Sequence, residues 1–442
     1  MFEYRYRKVN IMRSLIFSIE MLLKDWRTNI FYLLIISIVS ATTFVFGNIS
    51  YDKNLKAEMV TNQFGTLVPR YSEFIIMIVL GFSLFLAIYA YLYVLKNKSQ
   101  ELKLIKLTGS SEKKMMCFLI AQNIVLLVLG SIFGLIIGFI INPLVNYIIF
   151  SFLNLSKSIF FFDVRVCFDC FKINIFTLFI TTILGIGYVH RNEIKDLSIE
   201  KSDWTKDRRM IKLPTGLHIL LYCLGLVMFM TAEKYTILFG AVFYSMIGCC
   251  GASGLIRKKI CMILKDFINR TEETDKIKYI AINSLIYTLK QSYLLILGLL
   301  FTSTSMMAWT VTCISEPKEF IVSLVSFVFS LILLYGCVML EFLSKFKEKK
   351  LNLLFLWKCG YTKDDIKKII VLEIFYFFLI IFIFSLIYIL LMLIRFAYLD
   401  VLPLLTAGTF LFIYVFITLG AVILTIFCVS KNYKTLIRKV EE

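Results

Sequence analysis

Groups that do chemistry are scarce in this chain. Its 442 residues hold two histidines, His190 and His218. They stand 28 positions apart with no cluster of carboxylates beside them, which leaves little from which to assemble a metal centre or an acid–base pair; both read as interfacial residues. The phosphate-cradling pattern G-x-x-x-x-G-K-[ST] is absent. Gly109, Ser110, Ser111, Glu112 and Lys113 have its outline, but the first glycine and the strand that should lead into it are missing, so the chain is not expected to hydrolyse ATP. Acids and histidines are nearly absent from the apolar runs. That disfavours a proton-coupled secondary transporter, which needs titratable groups along a path through several spans. It also weakens a membrane enzyme: no catalytic residue, metal ligand or cofactor is expected.

What the chain has in abundance is apolar surface. It is 59% hydrophobic, with 42 Phe and a mean hydropathy of +0.83, whereas soluble domains average nearer 45–50% apolar. The expected fold is an all-α polytopic membrane protein. Runs near the ~20 residues needed to cross ~30 Å of hydrocarbon fall at 29–47, 73–95, 115–142, 172–189, 216–231, 235–255, 291–313, 320–342, 368–394 and 402–428. Only Thr231, Ala232, Glu233 and Lys234 separate the fifth from the sixth. Ten spans put both ends of the chain on one side. Most of the 48 Lys and Arg fall before the first span, after the second, fourth, sixth and eighth, and after the last, so those segments and both termini are expected in the cytoplasm. The formal charge of +18 is then a topological asymmetry. No nucleic acid is expected, because the basic residues are dispersed over short segments with no binding module; anionic lipids of the bilayer and an acidic cytoplasmic partner suit them better.

The most informative pattern is a repeat. ELKLIKLTGSSEKKMMCFLIAQN at 101–123 and NLLFLWKCGYTKDDIKKIIVLEI at 352–374 both link one apolar span to the next, offset by about 251 residues. In the first copy Glu101 opens a short stripe in which Leu102, Ile105 and Leu107 alternate with Lys103 and Lys106; Gly109 follows as a left-handed helix cap. In the second, Leu353, Leu354, Leu356 and Trp357 precede Lys358, Cys359 and Gly360. A rigid helix projecting from two spans moves with them, which is how a cytoplasmic motor can push on a membrane domain. A basic amphipathic stretch at 4–29 is expected to lie on the inner leaflet as an elbow and not to be a cleaved signal. A comparable stretch, IKYIAINSLIYTLKQ at 277–291, precedes the seventh span. The expected organisation is an elbow (1–28), a first four-span unit (29–200) with a coupling helix at 101–114, a two-span connector with its cytoplasmic loop (201–270), and a second elbow and four-span unit (271–442) with a coupling helix at 352–365.

Few polar residues lie within the spans. Gln122, Asn123, Asn142, Asn174 and Glu373 should face other helices, water or the interface. Glu373 occupies the place of Gln122 in the repeat; it either pairs the two units or snorkels toward Lys367 and Lys368. Of eleven cysteines, eight sit in or beside spans as small hydrophobes. Cys167 and Cys170 form one spaced pair in the loop at 151–170, either free or bridged locally. That loop, with its FFFDVRVCFDCF, is suited to lying in the outer interface.

On the elbow RSLIFSIEMLLKDWRTNIF (13–31), the two hairpin motifs at 101–115 and 353–373, and RNEIKDLSIEK (191–201), the chain resembles the FtsX-like permease family of ATP-binding-cassette transporters over nearly its whole length. The likeness is to the ten-span branch found in bacitracin- and lantibiotic-type peptide resistance. It implies a separate ATPase dimer docked on Glu101, Leu102, Ile105, Lys106, Leu107, Gly109, Leu353, Leu356, Trp357, Lys358 and Gly360. It also implies a mechanism in which ATP-driven closure of that dimer moves the spans like a lever. The substrate class that follows is an amphipathic, membrane-associated peptide, exported or cleared in self-immunity; the alternative is a signalling subunit that works with a membrane histidine kinase and moves no substrate. One departure stands out. The branch carries a large extracellular domain between spans seven and eight, and here that connection is about six residues, 314–319.

Overall fold

The computed structural model describes residues 20–22, 26–52, 55, 60–61, 67–68, 71–98, 102, 105–107, 111–191, 214–231, 234–271, 275–314 and 316–441. Among the described residues it consists of helices joined by turns and one longer loop (153–164), with one two-residue antiparallel ribbon, Val60–Thr61 with Leu67–Val68, where Val60 pairs with Val68. Most of the N-terminal elbow and the whole of 192–213 lie outside the described residues. Among the described residues, eight helices are long and apolar enough to cross a membrane, and the chain is a multi-pass membrane protein. Its surface says the same. Phe133, Ile136, Phe139, Ile140, Phe412 and Phe416 are exposed along their helices, an arrangement that suits hydrocarbon and not water.

The chain divides into two compact units, Met1–Ile211 and Lys212–Glu442. The first contains α1 (Trp26–Tyr51), α2 (Tyr71–Asn97), α3 (Glu112–Phe152) and α4 (Arg165–Arg191). Helix α1 packs on the other three, and its apolar window is 72% buried, against 22% for α4; α1 is the core and α4 the lipid-facing rim. The α1–α3 contact is close because glycines of α3 recur every fourth residue. A Cβ on Gly130 would meet Ile36 Cγ2 at 2.7 Å, one on Gly134 would meet the Ser37 carbonyl and Ser40 Cβ at 2.5 Å, and one on Gly138 would meet Phe44 Cβ at 3.0 Å. Small residues at this spacing let two backbones approach in lipid, where packing replaces the hydrophobic drive.

The second unit contains α5 (Thr215–Thr231), then α6 (Lys234–Leu255), which runs through a π-helical turn (Ile256–Ile260) into α7 (Cys261–Thr271). Next come α8 (Lys276–Gln291) and α9 (Tyr293–Phe301), which passes through a second π turn (Thr302–Met306) into α10 (Met307–Thr312). Three long helices close it: α11 (Pro317–Lys358), α12 (Lys363–Tyr398) and α13 (Leu404–Glu441). Helices α5 and α6, expected as a connector, pack inside this unit, α5 on α12 and α6 on α9. The fifth expected span is α5, whose 17 residues reach about 26 Å, short of a ~30 Å core. The pairings within the two units correspond: first span on second and third, third on fourth, second on fourth.

Sequence and structure differ at 352–365. A separate short helix is expected there, yet α11 continues without a break to Lys358 and α12 begins at Lys363. The charged stretch at 344–350 ends the hydropathy of the span but not the helix, because Lys, Glu and Leu are good helix formers.

Candidate functional site

The tip of the α11–α12 hairpin is built by two local signals in three residues. Gly360 has φ +93. Its N–H donates to the Trp357 carbonyl at 3.0 Å and that of Tyr361 to Leu356 at 3.2 Å, which is a Schellman stop. Thr362 then starts α12 with a capping box: its Oγ1 accepts from the Asp365 N–H at 3.2 Å, and the Asp365 carboxylate accepts from the Thr362 N–H at 3.2 Å. The helices entering and leaving this turn are 42 and 36 residues long, or about 63 and 54 Å, so each exceeds a ~30 Å hydrocarbon core. The apolar span of α11 ends at Leu343, and the roughly 15 residues from there to Lys358 add about 22 Å of helix beyond it.

On this tip Phe355, Trp357 and Lys358 are exposed, Leu356 is half-buried, and the Leu353 side chain lies outside the described residues. Glu101 and Gly109 of the first copy also lie outside them. Leu102 is helical and buried, its N–H on the Lys98 carbonyl at 3.0 Å; Ile105 and Lys106 are half-buried and Leu107 is exposed. Each copy therefore presents large apolar side chains at the end of a hairpin: Leu107 in the first, Phe355 and Trp357 in the second. Exposed apolar side chains beside basic ones suit contact with a protein or a membrane surface.

The polar residues expected inside the spans all turn toward other helices. Gln122 Oε1 accepts from the buried Lys98 Nζ. Asn123 accepts from Tyr32 Oη at 2.9 Å and donates to Thr181 Oγ1 at 2.7 Å, tying α1, α3 and α4 together. Asn174 accepts from Ser40 Oγ at 3.2 Å. Glu373 is buried and accepts from Ser284 Oγ at 2.8 Å and Thr288 Oγ1 at 2.5 Å on α8, so it turns inward and does not snorkel toward the exposed Lys367 and Lys368.

Asn142 belongs to a set the sequence does not announce. Asn48, Asn142 and Asn146 donate to the carbonyls of Phe161, Phe161 and Ile159 at 3.0 Å each, and Asn48 Oδ1 accepts from the Asp163 N–H at 3.0 Å. These bonds pin the loop between α3 and α4. Its charges are matched locally: Lys157 with Asp52 at 2.6 Å, Arg165 with Asp163 at 2.7 Å. The Arg165 fork holds the Asp163 carboxyl well below the usual carboxylate range, at about 2. Phe160, Phe162 and Val164 remain exposed on this loop. Cys167 and Cys170 are free thiols in the first turns of α4.

A buried hydroxyl cluster also lies outside the residues expected from the sequence. The π turn holds Thr302, Ser303, Thr304 and Ser305, all buried; Ser303 Oγ donates to Ser385 Oγ at 3.2 Å and Thr304 Oγ1 lies 3.3 Å from Cys249 Sγ. A TSTS run within an apolar span is its one sequence signal. Glu341 and Lys345 are likewise unexpected: they form an i,i+4 ion pair at the end of the α11 span, both buried. The histidines do little: His190 Nδ1 is 3.5 Å from Glu112 on the surface, a contact worth under about 1 kcal/mol, and the His218 ring sits against Gly254. No family model matches the chain, and no curated protein matches it.

Proposed function

We propose that this chain is the non-catalytic permease subunit of an ATP-binding-cassette transporter of the FtsX-like kind. In this reading α5, at the short end of the ~17–25 residues that can span, and α6 complete ten spans, the basic ends and both termini face the cytoplasm, and a separate pair of ATPase subunits docks on the two hairpin tips. The substrate is an amphipathic peptide of the lantibiotic type, taken from within or upon the bilayer. The observation that carries the reading is the α11–α12 hairpin. Two helices locked by a Schellman stop and a capping box reach well past the hydrocarbon and end in exposed Phe355 and Trp357. Such a hairpin transmits displacement at its tip to two spans, as a coupling to an ATPase requires. The buried α1 and α9 helices give each unit a fixed core, and the short connection between α10 and α11, from Thr312 to Pro317, directs recognition to the membrane and not to an outside domain.

The test is purification of the chain with its native ATPase and measurement of hydrolysis with and without cationic amphipathic peptides. Wild-type protein should hold the ATPase and be stimulated by such a peptide. Gly360→Val places a β-branched residue at φ +93; the added Cβ meets nothing within 4 Å, so the cost is backbone strain alone, about 1–2 kcal/mol, and it falls on the tip. Combined with Gly109→Val, it should abolish ATPase retention or peptide stimulation. Full retention and stimulation in the double variant would remove the tips as the docking site.

A further inference from the structure

Three buried charged residues of the second unit have no role in the reading above: Glu341 and Lys345 on α11 and Glu373 on α12. All three converge on α8, the amphipathic helix that precedes the seventh span. Ser284, Thr288 and Ser292 recur every fourth residue and so form one stripe along α8 and its end. Glu373 takes the first two, at 2.8 and 2.5 Å. Ser292 donates to Glu341 Oε1 at 2.7 Å and accepts from Lys345 Nζ at 2.7 Å, while Lys345 and Glu341 also pair directly. Each arm of the long hairpin therefore grips the same stripe of hydroxyls.

Ser292 is also where the helix is interrupted. It is the single residue between α8 and α9, at φ −90 and ψ 19, and no glycine or proline lies from 285 to 297. An interruption without glycine or proline needs a cause, and here the side chain of the interrupting residue bonds to both members of a buried ion pair on α11. Burying two ions is costly, and an apolar pair of the same shape would serve stability as well or better. Beside the joint, Gln291 has both side-chain amide atoms buried with no partner among the described residues, so the joint has a donor and an acceptor that this conformation does not use.

We infer that Glu341, Lys345 and Glu373 are positioning residues that lock the elbow helix α8 to the α11–α12 hairpin, so that the two move as one body about the joint at Ser292. That the hairpin is driven by an ATPase rests on the function proposed above; the lock itself does not. The experiment therefore uses the full chain alone in lipid nanodiscs, with spin labels at the exposed positions Lys276 on α8 and Lys367 on α12. The unsubstituted protein should give one narrow distance distribution. The neutral pair Glu341→Gln with Lys345→Met keeps the shape of the contact without its charge. It should melt no lower than the unsubstituted protein, because replacing a buried pair is often neutral or stabilising, and yet lose the single narrow peak. A merely structural pair would also melt no lower but would keep the narrow peak, so the peak is the deciding readout. Ser284→Ala, Thr288→Ala and Ser292→Ala together should lose the peak too. A narrow peak retained in the neutral pair would overturn the assignment. If that variant does not fold, Ser292→Ala alone decides on the same reading: a second, displaced population supports the lock and an unchanged peak overturns it. Failure of ATPase docking with a retained lock would count against the proposed function only.

Discussion

Gly134→Leu is expected to lower the melting temperature of the protein by about 6–12 °C, the shift that corresponds to about 3 kcal/mol in a unit of this size. The Cβ it adds would stand 2.5 Å from the Ser37 carbonyl oxygen and 2.5 Å from Ser40 Cβ. The first is backbone of α1 and cannot rotate away, so α1 and α3 must separate. Overpacking costs about 1–3 kcal/mol where side chains can adjust, and here one of the opposing atoms cannot. The loss should be concentrated in the first unit, because α1 is its core. Gly187→Leu on α4 is the control: the same substitution meets nothing within 4 Å, and it exchanges glycine for a residue with about 0.8–1 kcal/mol better helix propensity, so it should melt at or above the unsubstituted temperature. Equal melting of the two variants would mean that α3 does not pack on α1 through its glycines.

The second large effect concerns α5 and α6. A Cβ on Gly251 would collide with the Tyr222 backbone nitrogen and lie 2.8 Å from both Tyr222 Cα and the His218 carbonyl. Gly225 and Gly248 face each other in the same seam, and Tyr388 of α12 closes it, its hydroxyl donating to the Tyr244 carbonyl at 2.7 Å beside Phe229 and Tyr222. Gly251→Leu should therefore open the hairpin and release Tyr388, with a cost at or above the ~1–3 kcal/mol of ordinary overpacking. Amide exchange across 215–231 and 244–255 should quicken by about 100-fold if 3 kcal/mol is lost, while exchange in 26–51 stays as it was. Gly216→Leu, in the first turn of α5 and facing open space, should leave all three segments unchanged. Unaltered exchange in Gly251→Leu would contradict the seam.

Much of this architecture is legible in the sequence because hydropathy and turn chemistry are local. Eight apolar runs become long apolar helices, α8 begins within a residue of the stretch expected at 277–291, and Gly360 takes the positive φ that a helix stop of its kind needs. What is not legible depends on partners distant in sequence. A glycine in an apolar run lowers hydropathy slightly and gives no sign that Ser37 or Tyr222 will stand against it. Ser292 is no helix breaker by composition, and nothing near it in sequence shows that Glu341 and Lys345, 49 and 53 positions away, bond to it where α8 gives way to α9. The asparagines that pin the loop at 153–164 look like ordinary span-end polar residues until Phe161 is folded back between them. The basic stretch that ends the eighth apolar run looks like a loop, and only its helix propensity argues that α11 continues.

If the hairpins couple an ATPase to removal of a membrane-associated peptide, the peptide content of the membrane must depend on ATP hydrolysis. Cells carrying this chain and its active ATPase, and cells whose ATPase cannot hydrolyse ATP, are exposed to a membrane-active cationic amphipathic peptide, and the peptide retained in the membrane fraction is quantified. Less retained peptide and better survival are expected with the active pair. Equal retained peptide in the two strains, with survival following altered expression of resistance genes, would contradict transport and assign the chain to signalling.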